Sequence, residues 1–425
     1  MQASSVSFYS STSMADVRIP PELCKLIIDS IRAPQPWYKR LVGPEQDVHG
    51  EMLLHFRACA AVCTEWLPRA RRHLYHRIVF KRPSQVELLI RSLTDNPSLA
   101  ELVRELVLSS REYIPFVHPT LINRLHHLHT LVCDLSTLGT TKGDWSYPPR
   151  YHLLITRFPL TELAIRYSLS SKAWIEMFRL IWSLRSLESL YLELYHAPEL
   201  TDAELRCLTA ICRPWACARL KTLVIEGHTM RRCTSCLPVG AFGASVERFS
   251  LSWRDGPVPA AVLAQVALWA ELHELHVYER YYHSARKKDQ VRVAVACPNT
   301  LAVLSQIPSP CMLRKITISV SVAPGRLAYR GRFLYGLSGW SNEPMDKLLV
   351  TFTKLQTLHF EMSESDGRNG RYDAAWWHRM LAKYCLQQLA RVSLSVRVHE
   401  DPRASESWLN FEGMDDPRSP PSLIF

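Results

Sequence analysis

The 425 residues carry a formal net charge of +11 and are 47% hydrophobic and 21% charged, a balance that excludes an intrinsically disordered chain and provides for a substantial core in one or two domains. No run approaches the ~18 consecutive apolar residues of a membrane span, and Met1–Ala15 is serine-rich without the apolar centre of a signal peptide. The twelve cysteines are spread through a long chain rather than set as a disulfide framework, so a reducing compartment, cytosol or nucleus, is expected, with no membrane partner.

Residues 1–16 are expected to form an unstructured start. Pro20 and Pro21 then suit a helix start, because proline fixes φ near the helical value and its missing N–H would be unpaired there anyway. Leu23, Leu26, Ile27 and Ile31 follow at helical spacing. Arg32–Met52, with Pro34, Pro36, Gly43, Pro44 and Gly50, is expected to be an insertion, and Leu53, Leu54, Phe56, Ala60 and Ala61 open a second helix closed by Val62-Cys63-Thr64-Glu65-Trp66. A third runs from about Trp66 to His76, with Leu67, Ala70, Leu74 and Tyr75 inward and Arg69, Arg71 and Arg72 outward, before Ile78-Val79-Phe80.

Pro-Pro-Glu-Leu from Pro20, Val-Cys-x-x-Trp from Val62 and His-Leu-Tyr-His-Arg-Ile-Val-Phe from His73 together resemble the F-box family over about sixty residues, the last phrase in its fungal form. The Arg32–Met52 insertion departs from the family, whose first two helices are joined by a short linker. The resemblance implies a three-helix F-box over residues 17–82 that binds a Skp-like adaptor and, through it, a cullin. It places Pro20, Pro21, Leu23, Ile27, Val62, Cys63 and Trp66 on the motif positions, some facing the adaptor and some packing the helices.

Further along, Ser84 and Glu87 have the spacing of a capping box ahead of Leu88, Leu89 and Leu93. An element of form apolar-x-x-apolar-x-apolar then recurs ten times, centred on Leu106, Leu131, Leu163, Leu190, Leu223, Phe249, Leu275, Ile316, Leu358 and Val392, at steps of 25 to 42 residues. Helical stretches lie between copies: Ala173–Leu184, Thr201–Cys212 with its own capping box in Thr201 and Glu204, Val258–Ala270 and Ala374–Gln387. A strand plus a return segment cannot bury both faces alone, so neighbouring units would share one core.

The copies resemble leucine-rich repeats in their first six positions, although Arg111, Ser136, Ser168, Tyr195 and His228 stand where that family places Asn or Cys. The expected fold class is therefore α/β: an N-terminal three-helix F-box followed by an irregular leucine-rich-repeat-like α/β solenoid over 83–399, with a tail at 400–425. A conventional α/β domain would give the same alternation of strands and helices. Ala323–Pro344, rich in glycine and aromatics, is either a binding loop or a mobile connection, and Glu364–Asp373 is expected to be a surface loop.

Chemical signatures are thin. Cys233-x-x-Cys236 lacks a second pair for structural zinc, and Cys207, Cys212 and Cys217 suit a helix-packed core. Gly331 and Gly336 have phosphate-loop spacing but are followed by Leu337 and Ser338 instead of lysine. The basic groups Arg69–Arg82 and Arg286–Arg292 are not interleaved with aromatics as in nucleic-acid modules, so a solvated surface accounts for them better. No catalytic set, metal or cofactor is expected. Function should lie in surfaces, and the strand residues alternating with the buried anchors, Arg166, Tyr191, Glu193, Glu226, His276, Tyr278, His359 and Glu361, are the candidates for an inner face that contacts a protein target. The combination implies a substrate-recognition adaptor of a Skp–cullin–F-box ubiquitin ligase. The alternative is an interaction scaffold outside any ligase, with the F-box remnant as an N-terminal cap.

Overall fold

The computed structural model describes residues 20–31, 45–108, 119–134, 154–168, 171–196, 200–213, 215–227, 237–253, 257–281, 297–322, 344–364, 374–385 and 392–399. The expectations for the N-terminal start, the C-terminal tail, the 323–343 loop, residues 365–373, the phosphate-loop-like glycines, Cys233, Cys236, His228 and the Arg286–Arg292 group lie outside these residues. The chain divides into two compact units, Met1–Gln35 with Gly43–His76, and Pro36–Val42 with Arg77–Phe425.

The first unit has three helices: α1 (Pro21–Ser30), α2 (Glu45–Val62) and α3 (Leu67–His76). Pro20 is the extended N-cap of α1, with ψ 137°, and Pro21 is its first residue, as proline's fixed φ and missing donor favour. α2 begins earlier than the sequence suggests. Residues 45–52 of the supposed insertion are helical, because the breakers end at Pro44 and the single Gly50 is tolerated within a helix. Ile28, Phe56, Cys59 and Ala70 make the core, with Ile31, Met52, Ala60, Trp66 and Leu74 packed around it.

The second unit is a mixed α/β structure with an eleven-stranded parallel sheet in strict chain order. Its elements are β1 (Arg77–Phe80), α4 (Pro83–Asp95), β2 (Glu105–Leu108), α5 (Pro119–Ile122), β3 (Thr130–Asp134), β4 (Glu162–Ser168), α6 (Ser171–Ser183), β5 (Ser189–His196), α7 (Asp202–Ile211) and β6 (Thr222–Gly227). After them come β7 (Arg248–Trp253), α8 (Ala260–Val266), β8 (Glu274–Tyr281), α9 (Pro298–Leu304), β9 (Lys315–Val322), α10 (Pro344–Thr351), β10 (Thr357–Glu364), α11 (Ala374–Cys385) and β11 (Ser393–His399). A doubly wound sheet reverses its strand order at a switch point, where ligands bind; this order has no reversal.

The anchors explain the stacking. In the β5 unit Leu187, Leu190 and Leu192 are each buried, and the same three positions are buried in the β6 and β8 units at Leu220, Leu223, Ile225 and at Leu272, Leu275, Val277. Backbone bonds ahead of the strands continue the ladder: Thr161 N–H donates to His129 O, Glu188 N–H to Thr161 O and Lys221 N–H to Glu188 O, all within 2.9 Å. On the helical side, Trp182 and Trp269 are buried and donate their indole N–H groups to the carbonyls of Ala241 and Gly243.

Four sequence expectations need correction. Arg77–Phe80, taken as the exit of the helical domain, is the first strand of the sheet, and the two compact units divide after His76. The last copy is two residues out of register, since Leu394, not Val392, pairs with Leu358. The start of α4 is built by Pro83 and Gln85, whose Oε1 accepts from the backbone N–H groups of Lys81 and Arg82, rather than by Ser84 and Glu87. Cys207 is exposed and Cys212 half-buried, so of the three spaced cysteines only Cys217 joins the core.

Among the described residues no helix is long and apolar enough to cross a membrane.

Candidate functional site

Each unit presents one face worth chemical scrutiny. On α1, Cys24 and Ile28 point into the core, while Leu23, Leu26 and Ile27 are 49%, 50% and 44% exposed. Leu54 and Val62 of α2 and the following Cys63 are exposed too. Of the motif residues, Pro20 is exposed, Leu23, Ile27, Val62 and Cys63 form solvent-facing surface, and Trp66 packs on the core. Pro21 is placed only as the first residue of α1.

The helices behind that face are tied by a polar clasp. Arg69 donates from Nε to Asp29 Oδ1 at 2.7 Å and from Nη2 to Oδ2, and His73 Nε2 donates to Oδ1 at 2.7 Å. Phe56 stacks flat on the His73 ring, with centroids 4.8 Å apart. Burial alone would raise the Asp29 pKa, but the hydrogen bonds and charges of Arg69 and His73 hold it below the usual carboxylate value.

In the second unit, strand register puts the eight predicted face residues on one side of the sheet. Arg166, Glu193, Glu226, Tyr278 and Glu361 share one cross-strand row, with Tyr191, His276 and His359 in the row beside it. They line that face with little exposure to solvent. Tyr191, Glu193, Glu226, His276, Tyr278 and Glu361 are all buried, and Arg166 and His359 are mostly so.

These residues gather into two networks. Arg166 Nε donates to Glu193 Oε2 at 2.7 Å, while the Tyr191 hydroxyl, 3.4 Å from that same oxygen, donates to Glu226 Oε2 at 3.0 Å. Burial, then the charges of Glu226 and Glu193, push the Tyr191 phenol well above its ordinary pKa, so it remains a donor. Three strands away, Ser319 Oγ donates to Glu361 Oε2 at 2.8 Å and therefore accepts from His276 Nε2, also at 2.8 Å. His359 lies with Nδ1 2.6 Å from Ser395 Oγ and Nε2 3.6 Å from Glu361 Oε1. Burial would raise the Glu361 pKa, but His359, His276 and Ser319 bring it down to about 2.

No protein-family model matches the chain, and a search of curated proteins finds no match.

Serine, histidine and glutamate side by side raise the question of nucleophilic catalysis. The order is wrong for it: the Ser319 proton is committed to the carboxylate, and His276 donates to the hydroxyl instead of withdrawing its proton. The cluster links strands and does not activate a nucleophile. Among the described residues no group of three His, Cys, Asp or Glu side chains is arranged to hold a metal ion.

Sequence reasoning missed Ser319 and Ser395, which join the histidines to their neighbours, and Ser250 and Ser252 on β7. Those two are buried, and their hydroxyls have no hydrogen-bond partner among the described residues. Their small size has a packing consequence, because Tyr278 of β8 belongs to the same apolar cluster as Val224 of β6 and Tyr191 of β5. The ring must cross β7, and serines leave it room. The available signal was a pair of serines at inward positions where flanking strands carry Glu226, His276 and Tyr278.

Proposed function

We propose that the chain is the target-recognition adaptor of a Skp–cullin–F-box ubiquitin ligase, with an F-box in the first unit binding a Skp-like adaptor and a leucine-rich-repeat-like solenoid in the second unit holding the target. The observation that carries this reading is the row Leu23, Leu26 and Ile27, exposed on a helix whose other side already buries Cys24 and Ile28. A helix apolar on both faces and covered on one is suited to a partner surface. The motif residues Leu23 and Ile27 stand on that exposed row and Val62, at the end of α2, is exposed as well, which supports the family resemblance. Eleven parallel strands in chain order support the solenoid.

Such a protein performs no bond chemistry itself. It would raise the rate of ubiquitin transfer by proximity, turning a bimolecular encounter between target and charged partner into an effectively intramolecular one.

A specific observation favours the scaffold alternative: the His73–Phe80 phrase supplies both the end of α3 and the first strand of the sheet, so the stretch has a structural role whether or not an adaptor binds. Mixing the full chain with a purified Skp-family adaptor separates the two. On the ligase reading the proteins co-elute, and Leu26→Asp abolishes co-elution without lowering the melting temperature. Absence of any complex with the unaltered chain selects the scaffold.

A further inference from the structure

Two successive turns, residues 184–188 before β5 and 215–221 before β6, are stacked by the Lys221 and Thr222 N–H groups, which donate to Glu188 O at 2.9 and 3.0 Å. Where they meet, Trp215 stands 43% exposed with the Arg185 guanidinium 4.7 Å from its ring centroid. Arg185, Arg219 and Lys221, carried on the same two turns, and Arg213, just ahead of the second, are exposed. From Leu205 to Lys221 the sequence holds no Asp or Glu; Glu188 is held by Arg219 Nη2 at 2.9 Å, and Glu247 follows on the next turn, its N–H donating to Lys221 O at 2.9 Å.

A large indole left half in water forgoes burial worth more than most side chains offer, and here a cation on its face fixes it in place. Tryptophan and arginine are also the residue types that dominate binding hot spots. Four cations against Glu188, and Glu247 on the next turn beyond Lys221, leave the patch net positive.

We propose that this patch receives an acidic peptide segment of the target, with carboxylates meeting Arg213, Arg219 and Lys221 and an apolar or aromatic side chain packing on Trp215. The assignment rests on the adaptor reading, since it gives the target its chemistry. A peptide fits better than a nucleic acid for two reasons. Single-stranded nucleic acids are held by successive aromatic platforms along a cation track, whereas one face of this single ring is already taken by Arg185. Glu188 also lies inside the patch, where an evenly charged phosphate backbone would meet it and a peptide with spaced carboxylates would not.

The test uses the full chain and fluorescence anisotropy, with a labelled peptide of alternating acidic residues around a central Phe and a labelled oligodeoxythymidine of equal charge. The peptide is expected to bind, more weakly as salt rises, with affinity falling about tenfold or more in Arg213→Glu/Lys221→Glu and by several-fold in Trp215→Ala. All these positions are exposed, so melting temperatures should stay within about a degree or two. Failure of the peptide to bind, equal binding by both variants, or tighter binding of the oligonucleotide would overturn the proposal. Loss of peptide binding in variants that still co-elute with the Skp-family adaptor confirms the patch, while peptide binding without any adaptor complex removes the ligase reading alone.

Discussion

Thr300, at the start of α9, donates both its N–H, at 2.7 Å, and its hydroxyl, at 3.0 Å, to a single carboxylate oxygen of Glu279 on β8. Asn299 beside it binds the same carboxyl and also accepts the Val258 N–H at 3.1 Å, so Glu279 stands where a strand, a helix start and the preceding return segment join. Burial pushes its pKa up to about 7 despite these hydrogen bonds. The folded state therefore holds a proton that the unfolded chain releases near the usual carboxylate value. Stability is full below about pH 4.5 and falls as pH rises toward 7, by on the order of 2–3 kcal/mol. Glu279→Gln should flatten that fall, seen as a urea midpoint that changes less than wild type between pH 5 and 8, and an identical slope in the two proteins would refute it.

Glu361 has the opposite linkage. Its pKa, brought down to about 2 against burial, lies below the unfolded value, so its contribution is complete above about pH 4.5 and is lost as pH falls toward 2. Glu361→Gln should cost about 1–3 kcal/mol at pH 7, because Ser319 loses a charged acceptor and His359 and His276 lose the negative charge beside them. The same variant should show a shallower loss between pH 5 and 3 than wild type in parallel denaturant titrations.

These two carboxylates mark where sequence pattern stops being informative. The anchors could be read because strand periodicity alone decides which residues face the core, and nine of the ten copies fall in the observed register. The tenth slipped because Val392, Leu394, Val396 and Val398 alternate without a break, and a shift of two leaves every side chain on its proper face. β1 was missed because its residues belong to a phrase that also fits the end of a helical domain. Sidedness of the eight face residues was equally legible, but their burial was not. It depends on partners such as Tyr191 and Glu226, 35 residues apart, which nothing local announces. The capping box of Thr201 and Glu204 was legible because both halves lie within four residues.

Two glycines before β7 offer a controlled comparison. Gly240 and Gly243 both have positive φ, 81° and 70°, but a Cβ at 240 would meet nothing within 4 Å, whereas one at 243 would stand 2.8 Å from the backbone carbonyl oxygen of Cys217. Gly240→Ala should therefore cost about 1 kcal/mol, the left-handed strain alone. Gly243→Ala adds a clash with backbone that cannot rotate aside, and should cost about 2–4 kcal/mol. Equal thermal shifts for the two would show that the Cys217 turn yields easily.

The α1 helix allows stability and docking to be separated one residue at a time. Ile28 is fully buried with Phe56 and Ala70, so Ile28→Ala should cost about 2–5 kcal/mol of stability through lost burial and the cavity left behind. Leu23, five residues earlier and 49% exposed, supports no such core, and Leu23→Ala should move the melting temperature little. If the exposed row docks on a Skp-like adaptor, the same substitution should weaken that complex by about 1–4 kcal/mol, the range of an interface hot spot. Calorimetric titration of the adaptor into each variant at a temperature well below both melting transitions decides it. A Leu23→Ala protein that binds as tightly as wild type would mean that the apolar row faces something else, and the scaffold reading would then be favoured.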